Sequence, residues 1–363
     1  MFEIIFLIAA GLYFLQSFVL LIGAGKKYKK IPSEELPTVS VIVAARNEED
    51  NIGRCLESLN NLQYPEGKLE ILIVDDNSTD STRPIIENFI SDKPKFKCIC
   101  TTHKVDHLKG KTNALANALE IAAGEVIMTT DADCQVPPGW VRSIASYYDK
   151  DVAMVCGYTT QEASDQFSGM QMLDFMYLLT VAAGSMNLNF PLSCIGNNMS
   201  YRKSAYKEIG GYEALRFSVT EDFNLLKAMF RMGKYKIIYP LEPEALVESK
   251  PCSDMKSLYW QKKRWGVGGL DSDMRGFIVM ASGFLASLCT ALTPFFFSST
   301  ALYLAVFKIS TDYFMLFPIL KRFNLAGKLK YFASFEIYFI IYVLLLPLIV
   351  IINRKVVWKG RNY

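Results

Sequence analysis

The stretch Glu125-Val-Ile-Met-Thr-Thr-Asp-Ala-Asp-Cys134 runs an apolar, β-rich segment, Val126 to Thr130, into two carboxylates, Asp131 and Asp133. The turn signal Val136-Pro-Pro-Gly139 follows, so both aspartates fall where a strand gives way to a loop. A spacing of two at a kinked strand end lets both carboxylates address one hard divalent cation, Mg2+ or Mn2+, of the kind that bridges a diphosphate. Aspartate is also an ordinary turn residue, and a lone D-x-D reads equally well as two solvated side chains. Its meaning depends on its neighbours.

Upstream, Val39 to Ala45 has the composition of a buried parallel strand, and Arg46-Asn-Glu-Glu-Asp50 opens a helix running to about Leu62. Leu69 to Val74 repeats the strand pattern and ends in Asp75-Asp-Asn-Ser-Thr-Asp80, with a helix expected over 81–91. A third strand is predicted over Lys97 to Thr101, a helix over 112–123, and a fourth strand over 126–130. Strands alternating with helices at this pace predict an α/β, mostly parallel sheet that binds ligands at the carboxyl ends of its strands. Asp75, Asp76, Asp131 and Asp133 all lie at such ends.

Downstream, a helix near 139–149 and a strand from Val152 to Tyr158 precede a Met-rich helix near 165–186, whose periodicity is that of packing. Cys194-Ile-Gly-Asn-Asn-Met-Ser-Tyr-Arg202 follows without an evident role. Val219-Thr-Glu-Asp-Phe223 then opens a helix to about Met232, where Glu221 and Asp222 would also suit the positive end of the helix dipole. In Gln261-Lys-Lys-Arg-Trp265, helical spacing puts an amide, a guanidinium and an indole on one face; an interfacial anchor would use similar residues.

The chain has 363 residues, 51% of them hydrophobic and unevenly spread. Residues 2–24 and 277–352 are close to continuous lipid-compatible sequence, whereas 26–275 is a mixed-composition segment of about 250 residues, ample for a large core. The expected organisation is an N-terminal transmembrane helix (1–25), an α/β domain (26–275) and a C-terminal membrane region with a basic tail (276–363). Lys26-Lys-Tyr-Lys-Lys30 after the first apolar run argues for a retained anchor with the next domain in the cytoplasm. Whether 298–320 crosses the bilayer or lies in its interface is open, because the connector 321–330 and the tail are both basic.

A net charge of +3 with no basic stripe argues against nucleic acid. Eight scattered cysteines without C-x-x-C spacing suggest neither a zinc site nor a disulfide framework, and fit a reducing compartment. Gly110-Lys111-Thr112 is not the tail of a P-loop, since the leading glycine would be Val105; Lys111 can still reach a phosphate from its helix start. A transporter would place its substrate site at the bilayer midplane among inverted repeats, and no repeat is visible.

Asp75-Asp76, Asp131-Ala-Asp133, Thr220-Glu-Asp222 and Gln261-Lys-Lys-Arg-Trp265, in this order and over 39–269, resemble the motifs of membrane-bound family-2 glycosyltransferases. The chain is similar to ceramide glucosyltransferases and, more distantly, to the synthases of poly-N-acetylglucosamine, cellulose and hyaluronan. The resemblance implies a GT-A fold and an inverting, metal-dependent transfer of glucose or N-acetylglucosamine from a UDP-sugar to a lipid. It implies that Asp75, Asp76 and Asp131, with Glu48 and Lys111, hold the nucleotide sugar, and that Asp133 with Asp131 ligates Mg2+ or Mn2+. Asp222 is then the general base, supported by Glu221, while Gln261, Arg264 and Trp265 gate donor and acceptor. The expected location is the inner membrane. The C-terminal region is too short for the many-helix channel of the polymer synthases. Two rivals stay open: a processive exopolysaccharide synthase extending a growing glycan, with partner membrane subunits, and a non-catalytic nucleotide-sugar-binding membrane protein.

Overall fold

The computed structural model describes residues 1–101, 107–358 and 361–362; Val105 lies outside them. In chain order the elements are α1 (Phe2–Ala24), β1 (Val39–Ala45), α2 (Ile52–Asn60), β2 (Leu69–Asp75), α3 (Thr82–Ile90), β3 (Phe96–Cys100), α4 (Lys111–Ile121) and β4 (Val126–Asp131). They continue with α5 (Trp140–Ala145), β5 (Val152–Cys156), β6 (Thr159–Gln161), α6 (Gln166–Asn187), β7 (Met199–Arg202), α7 (Lys203–Glu208), α8 (Glu221–Arg231), β8 (Lys236–Ile238) and β9 (Val247–Ser249). The chain closes with α9 (Met255–Gly269), α10 (Met274–Leu292), α11 (Ser299–Arg322), α12 (Phe332–Ile352), β10 (Val357–Trp358) and β11 (Arg361–Asn362).

Two compact units result. One comprises 26–160 and 193–250, the other 1–25, 161–192 and 251–363. Within the second unit α6 packs on α1 and α12, and α9 packs on α12.

The first unit is built on a seven-stranded sheet of order β3-β2-β1-β4-β7-β5-β8. β1 pairs in parallel with both β2 and β4, and Val39, Val41 and Val43 are at most 1% exposed, as the near-continuous apolar run demands of a parallel strand covered on both faces. The register sets Asp75 opposite Ala45 and Asp131 opposite Ala44, so the acidic ends of β2 and β4 flank the end of β1. β7 is antiparallel to both β4 and β5, and comes from the 194–202 stretch. The strand expected to reach Tyr158 stops at Cys156. A Cβ on Gly157 would lie 2.6–2.7 Å from the Asn198 amide. That amide donates to the carbonyls of Tyr158 (2.6 Å) and Ala245 (2.9 Å) and accepts from the Trp140 indole (2.9 Å).

Among the described residues of the second unit, four helical segments are long and apolar enough to cross a membrane: Phe2–Ala24, Met274–Leu292, Ser299–Arg322 and Ala326–Ile352. Residues 299–320 are thus part of one continuous helix, α11. The break falls before it, around Pro294, and Ser298 caps α11 by accepting from the Ala301 amide at 3.1 Å. α6, capped by Asp165 and Ser168, packs on α1 so closely that a Cβ on Gly184 would lie 2.2 Å from the Leu20 carbonyl oxygen. Small residues permit such backbone approach between apolar helices. Three charged side chains of this unit are buried together. Lys308 of α11 pairs with Asp312 at 2.8 Å and with Glu336 of α12 at 2.5 Å, and Asp312 accepts from Tyr13 of α1.

Gly184→Ala should therefore lower the melting temperature of the purified protein in detergent, by overpacking worth about 1–3 kcal/mol. Gly11→Ala, where an added Cβ meets nothing within 4 Å, should leave it unchanged or slightly higher. Equal melting of the two variants would contradict the close α1–α6 contact.

Candidate active site

The carboxyl ends of β1, β2 and β4 carry the site in the first unit. Along Asp131-Ala-Asp-Cys134, Ala132 and Cys134 are buried (2% and 0% exposed) while both aspartates are half-buried, so the strand-like alternation turns the two carboxylates away from the core. Burial, followed by the neighbouring Asp133 and Asp131 carboxylates, pushes the thiols of Cys55 and Cys134 up. They remain protonated packing groups and not thiolates.

Asp75 is buried, and its Oδ1 accepts from the Ser78 amide at 3.1 Å, fixing the turn that follows β2. Asp76, also buried, donates its amide to the Ala45 carbonyl at 2.8 Å. The Arg46 guanidinium donates to the Asp76 carbonyl at 2.6 Å and lies 3.9 Å from its carboxylate. Glu48 sits in the loop after β1, where its carboxylate accepts from the Asn51 side chain at 2.8 Å and its amide donates to Thr82 at 2.7 Å. The loops 46–51 and 77–82 are thereby stitched together, and both enter through left-handed asparagines, Asn47 (φ 52°) and Asn77 (φ 57°).

Lys111 opens α4 and ties two further elements together. Its Nζ is 2.5 Å from Asp131 of β4 and 3.4 Å from Glu221 at the start of α8. Burial lowers the Lys111 pKa, but the Asp131 and Glu221 charges raise it by more, so the net shift is upward and the group is an ammonium at neutral pH. Asp222, next to Glu221, accepts from the Gly196 amide at 2.8 Å on Oδ2 and from the Phe223 amide at 2.8 Å on Oδ1. The Gly196 carbonyl in turn accepts from Thr129 of β4 at 2.6 Å. Both oxygens of Asp222 are thus oriented by backbone donors, one of them anchored two residues before Asp131.

The structure therefore brings Asp131, Lys111, Glu221 and Asp222 into one cluster, with Asp133 beside Asp131 and with Asp75 and Asp76 at the end of β2, on the far side of β1. Gly196, Thr129 and Arg46 are participants that sequence reasoning passed over. A Gly-Asn-Asn turn in an otherwise unassigned stretch was the available signal for the first. Gln261, Arg264 and Trp265 belong to the second unit, on α9, where all three are half-buried. Unexpectedly, the intervening Lys262 and Lys263 are buried (6% and 2% exposed).

Residues 126–352 match the family model described as glycosyl transferase family group 2, and residues 40–210 match the one described as glycosyl transferase family 2. The chain belongs to glycosyl transferase family group 2. Membership makes it a glycosyltransferase by class. It is 28% identical over 253 residues to a β-monoglucosyldiacylglycerol synthase of Nostoc sp., covering 67% of this chain and 51% of that protein. It is 26% identical over 252 residues to a poly-β-1,6-N-acetyl-D-glucosamine synthase of Staphylococcus epidermidis, covering 68% and 58%. The chain spans about half the length of the first of these relatives. In fold it is similar to a mannosyltransferase of Pyrobaculum calidifontis solved with GDP-mannose and Mn2+, with a TM-score of 0.60 at 18% identity over 93% of this chain and 99% of that one. The mostly parallel α/β sheet of the first unit is of the GT-A type.

Removing the Lys111 ammonium leaves the carboxylates of Asp131 and Glu221 facing each other. Lys111→Met should destabilise the protein by about 1–3 kcal/mol, less than the ~3–5 kcal/mol of a fully enclosed pair, because Asp131 is a third exposed. Chemical denaturation followed by tryptophan fluorescence measures this, and an unchanged midpoint would contradict the bridge.

Proposed function

We propose that this glycosyltransferase moves glucose or N-acetylglucosamine from a UDP-sugar to a membrane lipid, with inversion at the anomeric carbon. The observation that carries the proposal is the Asp131–Lys111–Glu221 bridge with the oriented Asp222 carboxylate beside it. A lipid acceptor is supported by the four membrane-compatible helices on the same chain and by the diacylglycerol product in the name of the Nostoc relative. The first unit is assigned to the cytoplasm by the basic run after α1, and the membrane to the inner one.

In this reading Asp76 and Asp75 contact the uridine, Glu48 closes that side, and Asp131 with Lys111 faces the diphosphate. Asp222 takes the proton of the acceptor hydroxyl as that oxygen attacks the anomeric carbon and the bond to the UDP oxygen breaks. Glu221 keeps Lys111 in place at the helix start. Gln261, Arg264 and Trp265 are assigned to donor and acceptor closure, Arg264 adding positive charge for the departing UDP.

No group of three or more histidine, cysteine or acidic side chains among the described residues could hold a metal unaided. Two oxygen donors turned outward from one strand end nevertheless fit an Mg2+ or Mn2+ ion that also takes ligands from substrate phosphates and water, as such ions usually do. Asp133 and Asp131 would hold it, and when bound it would neutralise charge on the leaving diphosphate.

Asp222→Asn should cut transfer by about 10²–10⁴-fold while leaving UDP affinity by titration calorimetry near wild type. Loss of UDP binding with turnover retained at saturating donor would move the base assignment to Glu221. Asp133→Ala should abolish the part of UDP binding that depends on added Mg2+ or Mn2+, and chelation should stop transfer. Full transfer in excess chelator would overturn the metal requirement.

A further inference from the structure

The buried lysine at position 262 lies within the gate motif and has a specific set of partners, all in the second unit. Its ammonium donates to the Asp174 carboxylate of α6, a residue only 1% exposed. The same ammonium lies 4.5 Å from the centroid of the Trp265 ring and 5.0 Å from that of Tyr342 on α12, within cation–π range of both. Phe175, the next residue on α6, stacks on Trp265 at 5.7 Å and 15°. One dipeptide, Asp174-Phe175, therefore grips positions 262 and 265, which are neighbours one turn apart on α9.

A contact needed only for packing does not require charge. A buried ion pair is weak as a source of stability, and apolar residues of similar volume often do as well or better. Directionality is what the pair adds, since an ammonium held at one point over an indole restrains the plane of that ring. The other Asp174 oxygen, Oδ1, has no hydrogen-bond partner among the described residues, so the carboxylate's direct hold is on Lys262 alone.

We propose that Asp174 is a positioning residue for glycosyl transfer: it fixes the Lys262 ammonium against Trp265 and so sets the indole of the Gln261-Arg264-Trp265 face. The inference rests on reading that face as the donor and acceptor gate. Asp174 touches no substrate in this account. Its loss acts through Trp265, slowing the bound complex and sparing recognition of the nucleotide.

The test uses the full-length protein in phosphatidylcholine nanodiscs labelled with 5-fluorotryptophan, with Trp265→Phe assigning the Trp265 line in 19F spectra. Asp174→Asn should shift or broaden that line and leave the line of Trp140, in the sheet-bearing unit, unmoved. With UDP-glucose as donor and dioleoylglycerol as acceptor, Asp174→Asn should lower kcat by roughly 10-fold or more, since small misplacements of positioning groups can cost up to about 10²-fold, while the KM for UDP-glucose changes little. The exchanged pair, Asp174→Lys with Lys262→Asp, rebuilds an ion pair but moves the cation off α9. It should recover the melting temperature without recovering kcat or the Trp265 line. Recovery of kcat or of the line by the exchanged pair, or an unshifted Trp265 line in Asp174→Asn, overturns the proposal. Full activity of Trp265→Ala instead overturns the gate reading, whereas the fluorine spectra report on the indole whether or not this donor and acceptor are used.

Discussion

One ammonium organises the acidic centre of this protein. Lys111 holds Asp131 at the end of β4 and Glu221 at the start of α8, two elements about ninety residues apart in sequence. Without a cation between them, these carboxylates and Asp222 would repel one another in a partly desolvated site. With it, the loop carrying Gly196 can donate to Asp222 and close back on Thr129. The folded-state pKa of Lys111 is raised, so its stabilising contribution is fully present below the unfolded value of 10.5 and is lost only as pH rises through the higher folded value. Over the neutral range the bridge is constant.

The parts of this centre that local pattern encodes were legible in the sequence. A parallel strand covered on both faces must be continuously apolar, and Val39 to Ala45, Leu69 to Val74 and Val126 to Thr130 show this directly, with acidic residues where each of the last two runs ends. The helices from Lys111 and Glu221 were also visible. What stayed hidden depends on long-range pairing. Met199–Arg202 is too short and mixed to declare itself a strand, yet it inserts antiparallel between β4 and β5 and delivers Gly196 to Asp222. The proximity of Lys111 to both acidic motifs likewise follows from topology and not from spacing.

The membrane-compatible unit shows the opposite balance. Its apolar spans were plain from composition, but the charges inside it were not interpretable one at a time. Lys308, Asp312 and Glu336 look anomalous singly and are reconciled only when α11 and α12 set them side by side. Lys262 and Lys263 carry no role in the Gln261-Lys-Lys-Arg-Trp265 pattern, whereas the fold buries both and gives the first a carboxylate from α6. In a low-dielectric setting an oppositely charged partner favours a buried charge, so the Lys308 and Lys262 pairs mark places where helix packing is directional. Close backbone contact at Gly23 and Gly184 supplies the non-directional remainder.

The proposed function divides the labour between the units: the sheet end of the first takes a nucleotide sugar and its attack by a hydroxyl, on a chain whose other helices suit a bilayer. The most direct measurement incubates the purified protein in lipid with a panel of radiolabelled nucleotide sugars and then partitions the products between organic and aqueous phases. This account predicts label from UDP-glucose or UDP-N-acetylglucosamine in the organic phase, as a lipid carrying a short saccharide. Label confined to insoluble polymer, or no transfer from any donor on the panel, would contradict it.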